Sequence, residues 1–391
     1  MVFGQEENES MKIAIDARMY GESGIGRYIK NLISELQKID SKNEYYILHL
    51  STKYDRLVYH NNFHKVLADV KWYGAAEQIR LPLILNQINA DLVHFPHFNV
   101  PIFYKGKFVV TIHDLIHQHF QMRRVTTREP ITYKLKQLGY NAVFKNALNK
   151  SLKILTPSNY VKNLLVDDWK VDSSKIVVTP EAVEDKLFTI VGSLSSEKVK
   201  KTLYKFNINQ PFLFYVGNAH PHKNIEGLIK AFLMIKDSGV AGAPQNDSGS
   251  LKLVLSGPDN YFWQKIKKDY QQKDIIYTGF VSEEELAVLY KSAQAFVMPS
   301  FEEGFGIPIL EAMAAGTPVV SSNAGSLPEV GGNAATYFDP KDLDDMGNKI
   351  IMVLNSEKIR KDLIAKGKIR VKDFSWKKLA EQTLEVHKQC V

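Results

Sequence analysis

The chain of 391 residues has one cysteine, Cys390, next to its C-terminus. An intrachain disulfide and a zinc site of paired cysteines are therefore excluded, which suits a reducing compartment. A secretion signal is missing as well: residues 1–10 read MVFGQEENES, polar and acidic where a basic start and an apolar core would stand. No uninterrupted apolar run approaches the roughly 18–20 residues of a membrane-spanning helix. A cytoplasmic protein is expected. Also absent are a helical HxxxH or HExxH pair, a GxSxG elbow and a phosphate-binding P-loop. The isolated aspartates lack metal-ligand spacing, so no tightly held metal is expected.

What is present is more specific. Lys and Arg number 50 against 43 Asp and Glu, a formal charge of +7. Such an excess suits phosphorylated substrates, an anionic membrane or nucleic acid. The basic residues are not interleaved with stacking aromatics and form no recognisable binding module, so nucleic acid is not an expected partner. An apolar share of 45% is ordinary for a globular protein, and 391 residues exceed what one core usually serves. Two domains are expected.

The order of elements agrees. Met11–Ala17 (MKIAIDA) reads as a buried parallel strand, followed by a glycine-rich turn through Tyr28 and a helix from Ile29 to Ile39. The turn lacks dinucleotide-fingerprint spacing, so an NAD site is not expected. Further strands are expected at 45–50, 92–95, 108–112, 153–156 and 176–179. The pattern restarts with strands at 211–216, 251–256, 275–278, 295–298 and 318–321. This gives an α/β fold with two parallel-sheet halves that break within 184–209. A helix at 197–206 lies in that break, residues 239–250 form a loop, and a last helix runs from Trp376 to Lys388.

The chain is organised around residues 299–316, PSFEEGFGIPILEAMAAG. A strand end leads into a glycine loop and then a helix, with Pro308 in its first turn and Gly316 as its stop. A helix N-terminus behind a glycine loop is an anion site. Glu303 and Glu311 bracket it, which suits a diphosphate with hydroxyl-bearing groups at both ends. Taken by itself, the turn is also an ordinary α/β connection with solvated glutamates. A second strand-to-helix turn, Gly217-Asn-Ala-His-Pro-His-Lys-Asn224, offers Lys223 as a point charge and His222 as a donor. The bland alternative is a basic surface loop. His113-Asp114 follows the strand at 108–112, the usual ligand end of such sheets.

Together these residues resemble the retaining GT-B glycosyltransferases of family 4. The resemblance rests on Gly279–Leu286, Tyr290–Ala293, the run from Pro299 to Val330 with its Glu303-x7-Glu311 pair, Ser23–Tyr28, His113–Leu115, Lys223-Asn224 and Phe374-Ser-Trp376. It covers nearly the whole chain. The Ser-Gly-Ile-Gly-Arg-Tyr loop and the Pro-x-Lys-Asn turn are most similar to bacterial GDP-mannose-dependent mannosyltransferases of surface polysaccharides. The resemblance implies two Rossmann-like domains facing a central cleft. These are an acceptor domain over 11–184, a donor domain over 185–373 and a C-terminal segment, 374–391, packing back on the first.

It also implies roles. Glu311 accepts from the ribose hydroxyls. Glu303 lies near the donor sugar, with N–H groups of Gly304, Phe305, Gly306 and Ile307 around sugar and phosphate. Lys223 neutralises the departing diphosphate with N–H groups of Gly24 and Gly26, His113 contacts the sugar, and backbone near Gly279, Phe280 and Val281 holds the base. Members often carry Arg at the positions of Asn218 and His222, so this phosphate turn has less formal charge. No cofactor is implied; the nucleotide sugar, GDP-mannose, is a substrate, and a glycan or lipid-linked molecule is the acceptor. The alternatives are an epimerase or phosphorylase of the same architecture, or a non-catalytic sugar-nucleotide-binding protein. The basic span 121–150 (Arg123, Arg124, Arg128, Lys134, Lys136, Lys145, Lys150) reads either as a solvated face or as peripheral contact with an anionic membrane. Because the loop at 299–306 is read as surface-facing, Glu311→Ala is expected to leave the fold intact.

Overall fold

The computed structural model describes residues 10–22, 24–55, 57–119, 130–237 and 251–391. The chain divides into two compact units. The first runs through Glu181 and regains Trp376–Val391; the second is Ala182–Ser375, with residues 118–120 grouped with it.

In the first unit the described strands are β1 (Lys12–Asp16), β2 (Glu44–His49), β3 (Phe63–Leu67), β4 (Leu92–Phe95), β5 (Phe108–Thr111), β6 (Ile154–Thr156) and β7 (Ile176–Val178). They form one parallel sheet in the order β3-β2-β1-β4-β5-β6-β7. The central strands are mostly apolar and buried because helices cover both faces, and the buried polar groups among them, His94 and Thr111, bond to each other. The Gly24–Ile39 helix turns Tyr28, Ile29, Leu32, Ile33 and Leu36 inward, a spacing that makes one apolar face. The Trp376–Cys390 helix buries Trp376, Leu379, Ala380, Thr383, Leu384, Val386, His387 and Cys390 against this unit.

The second unit repeats the plan with β8 (Phe212–Val216), β9 (Lys252–Ser256), β10 (Ile275–Gly279), β11 (Ala295–Met298), β12 (Val319–Ser322) and β13 (Ala335–Phe338). Its parallel order is β10-β9-β8-β11-β12-β13. A core of Phe212, Phe214, Phe232, Tyr290, Phe296 and surrounding aliphatics fills it.

Two strands escape the sequence reading, β3 and β13. Both lie at sheet edges, where one side meets solvent and no continuous apolar run is required. Strand starts were also set too early at Pro211 and Pro318. Each proline lacks an N–H but still contributes its carbonyl, to Lys252 and Phe296 respectively. The helix expected from Ile29 begins at Gly24 instead, so Gly24 and Gly26 belong to its first turn. A Cβ on Gly26 would lie 2.7 Å from the Tyr20 carbonyl oxygen, which explains the glycine. The loop expected at 239–250 and the basic residues Arg123, Arg124 and Arg128 lie outside the described residues, as does Ser23.

Beyond β1, Arg18 is buried in a closed network. Its guanidinium donates to Asp16 (2.8 and 2.7 Å), to Glu77 (2.6 Å) and to the Val70 carbonyl (2.7 Å). Burial alone would lower its pKa; the charges and bonds of Asp16 and Glu77 outweigh it and hold the cation firmly protonated. Asn99 donates to Glu77 at 2.6 Å. The network ties the end of β1 to the Ala75–Ile88 helix.

Candidate active site

β8 and β11 are neighbours in the sheet but far apart in sequence, so the loops after them meet where the strand order reverses, the usual ligand position. The loop after β8 ends in a tight turn at Pro221–Lys223, with Asn224 left-handed at φ 55°. Asn224 is buried, and its amide donates to the carbonyls of Pro299 (3.1 Å) and Pro340 (2.9 Å). The Phe301 N–H donates to the His222 carbonyl at 2.7 Å. These bonds clamp the two loops together.

The clamp brings together residues that are 80 positions apart. Lys223 Nζ donates to both carboxylate oxygens of Glu303, at 2.8 and 2.7 Å. Ser300 Oγ donates to Glu303 Oε1 at 2.5 Å, and Ser326 Oγ lies within bonding distance of the Glu303 and Phe305 carbonyls. Gly306 has φ 101°, and a Cβ there would lie 2.6 Å from Leu327 Cδ2. Only glycine suits that position. It delivers the chain into the Ile307–Ala315 helix, in whose first turn Pro308 has no N–H and the Ile309 N–H donates to the Gly306 carbonyl at 3.0 Å.

Glu311 sits on that helix and is 7% exposed; its Oε2 accepts from the Tyr290 hydroxyl at 2.8 Å. The Glu283–Ser292 helix carrying Tyr290 opens with a capping box between Ser282 and Glu285. Here the sequence expectation is corrected. The loop is not surface-facing: Glu303, Gly304, Phe305 and Gly306 are all buried, because Ser300, Ser326 and Lys223 hold it inward. Removing the Glu311 carboxylate would take an acceptor away from a buried tyrosine hydroxyl, at a cost of about 1–3 kcal/mol.

The remaining donor-site positions lie in the same unit. The Asn218 carbonyl accepts from the Tyr215 hydroxyl at 2.8 Å. The rings of His222 and His220 stack with centroids 5.8 Å apart, and His220 meets Phe262 edge-on. The Gly279 carbonyl accepts from Gly257 N–H and Ser256 Oγ, Val281 is buried, and the Phe280 ring is 84% exposed.

Gly24, Gly26 and His113 belong to the first unit. His113 follows β5, and both its ring nitrogens are engaged. Nε2 lies 2.9 Å from the Pro96 carbonyl and Nδ1 lies 3.1 Å from Glu181 Oε1. Burial alone would depress its pKa, but the bond and charge of Glu181, with the Pro96 carbonyl and Asp114, raise it overall. Next to it runs a buried chain. His94 Nε2 meets Thr111 Oγ1 (2.9 Å), Thr111 meets the Tyr28 hydroxyl (3.1 Å), and His94 Nδ1 meets His387 Nε2 (3.1 Å). Sequence reading missed Glu181, Ser300, Ser326 and Tyr290. Ser300, Ser326 and Tyr290 stand within the motifs that carried the resemblance, whereas Glu181 has no local signal.

Two family models together match most of the chain. The model for glycosyl transferases group 1 matches residues 196–370, and the model for glycosyltransferase family 4 matches residues 23–187. The chain is a family 4 glycosyltransferase. It is 29% identical to an O-antigen chain mannosyltransferase B of Escherichia coli, over 97% of this chain and 100% of that one. It is also 29% identical to the O-antigen chain mannosyltransferase RfbU of Salmonella typhimurium, over 71% of this chain and 68% of that one. Among solved structures, a glycosyltransferase from Rickettsia africae superposes with a TM-score of 0.71 at 18% identity, covering 98% of this chain and 99% of that one. Anabaena HepE, solved with UDP and glucose, gives 0.71 at 15% identity, covering 97% of this chain and all of that one. These likenesses give the glycosyltransferase the GT-B fold. Among its described residues no helix is long and apolar enough to cross a membrane, and no cluster of three metal-ligating side chains occurs.

Proposed function

We propose that this glycosyltransferase moves mannose from GDP-mannose to a glycan or lipid-linked acceptor in surface polysaccharide synthesis, with retention of anomeric configuration. The observation that carries the reading is the Lys223–Glu303 pair held beside the N-terminus of the helix bearing Glu311. The mannosyltransferase names of the relatives support the choice of sugar.

Breaking the anomeric C–O bond leaves positive charge on the sugar and adds negative charge to the diphosphate. Lys223 and the helix N-terminus stabilise that anion, and they are in place before reaction. The diphosphate competes with Glu303 for the ammonium, which frees the Glu303 carboxylate to accept from sugar hydroxyls. Glu311, oriented by the Tyr290 hydroxyl, accepts from the ribose diol. Front-face attack assisted by the leaving phosphate oxygen gives retention without a covalent enzyme intermediate. The described basic side chains of the 121–150 span, Lys145 and Lys150, are exposed; their positive charge supports peripheral contact with an anionic membrane.

The test is a donor screen that follows nucleotide release and the anomeric configuration of the product. Release from GDP-mannose that depends on an added glycan or lipid acceptor supports the proposal. Epimerised free donor, or tight binding without turnover, would overturn it.

A further inference from the structure

We infer that Glu181 is a positioning residue that holds His113 as an imidazolium, so that His113 presents a fixed positive charge and N–H donors and does not act as a general base. The inference rests on the reading that His113 serves the donor sugar.

The geometry of the two bonds carries it. Nε2 lies 2.9 Å from the Pro96 carbonyl oxygen, which can only accept, so Nε2 bears a proton. Nδ1 lies 3.1 Å from Glu181 Oε1, and the proton between them rests on the imidazole, ordinarily a stronger base than a carboxylate. No lone pair remains on the ring. Tyr28 packs edge-on against it with centroids 4.8 Å apart and fixes its orientation. The charged and titratable groups facing the ring are Glu181, Asp114, His94 and Tyr28. Glu181 and Asp114 favour the cation. His94 relieves it by staying neutral, since burial and then the nearby charges of His387 and His113 hold its pKa well below the ordinary value.

The neighbouring chain engages both nitrogens of His94: Nε2 meets Thr111 Oγ1 and Nδ1 meets His387 Nε2. His94 is thus fully used as a neutral ring and takes no proton from His113.

For the transferase the consequence is specific. A sugar hydroxyl oxygen can accept from Nε2–H in place of, or together with, the Pro96 carbonyl. An acceptor hydroxyl cannot lose its proton to this ring. Glu181 touches neither, and its effect passes through His113.

The experiment is a pH titration of the full chain by long-range 1H–15N NMR, assigned with His113→Gln, for wild type, Glu181→Gln and Glu181→Asp. It is paired with kcat/KM profiles from pH 6 to 8. The expected wild type titrates His113 above the ordinary histidine midpoint, and Glu181→Gln lowers that midpoint by about one unit. The matching kinetic result is a kcat/KM within about twofold of wild type at pH 6 and about tenfold lower at pH 8, with Glu181→Asp recovering part of the loss. A neutral wild-type ring at pH 7, or a midpoint unmoved in Glu181→Gln, would overturn the ion pair. A lowered midpoint with an unchanged pH profile would overturn the positioning role. The NMR arm is independent of turnover, so failure of the donor screen and failure of this inference are separate results.

Discussion

Each unit places a cation just beyond its first strand, Arg18 after β1 and Lys223 after β8, and each cation meets a carboxylate from a distant segment. The resemblance ends there. The Arg18 side chain is 2% exposed, and four of its five N–H groups are held by Asp16, Glu77 and a carbonyl. Lys223 has a side chain 19% exposed, and its ammonium has three N–H groups facing a single carboxylate. A pair sealed from water has no open side for a ligand and works as a structural clasp. An accessible pair beside a helix N-terminus can exchange one anion for another. The lesson is that strand-end position marks both pairs, and exposure of the cation tells them apart.

The largest expected effect breaks the clasp. Arg18→Met leaves Glu77 buried and unpaired, which should cost about 3–5 kcal/mol. Chemical denaturation should show that loss, whereas Lys223→Met, which leaves Glu303 near the surface with Ser300 still donating to it, should cost clearly less. Equal losses would erase the distinction. Next comes Glu311→Gln, which can still accept from Tyr290 but loses its charge. Donor affinity should fall roughly 10–100-fold, the worth of a charge-assisted bond, with little change in melting temperature. Calorimetry showing unchanged affinity would refute the ribose assignment.

A smaller effect separates the histidines of the first unit. Burial, only partly offset by Asp40, holds His387 at about 4, and His94 is depressed as well. Groups lowered in the folded state stabilise above their unfolded value near 6.5, and that contribution is lost as pH falls towards 4. His387 should cost about 1.4 kcal/mol per pH unit between 6.5 and about 4, and His94 acts in the same direction. His113 is raised, so its contribution is fully present below its unfolded value and is lost only as pH rises through the folded one. Urea midpoints at pH 7.5 and 5.5 should therefore fall in wild type and fall less in His387→Gln. Equal acid slopes would contradict the buried pair.

Much of this was legible in the sequence, for reasons the structure makes plain. Central strands such as β8 and β11 must be apolar on both faces, so they announce themselves. Edge strands β3 and β13 do not. The glycine loop, Pro308 and Gly316 are local signals, and their roles at the helix ends follow from backbone geometry alone. What stayed hidden depends on contacts across long sequence separations: the reach of Lys223 to Glu303, the hold of Glu181 on His113, and the burial of a loop whose composition reads as exposed. The polar letters of FEEG hide a buried segment because Ser300, Ser326 and Lys223 satisfy it.

The central claim is that the Lys223–Glu303 pair receives the diphosphate. The most direct test is calorimetric titration of GDP and of GMP into wild type and Lys223→Met. The account predicts that wild type prefers GDP and that the variant loses most of that preference, while GMP affinity stays nearly unchanged. A variant that keeps the wild-type ratio of GDP to GMP affinity would contradict it.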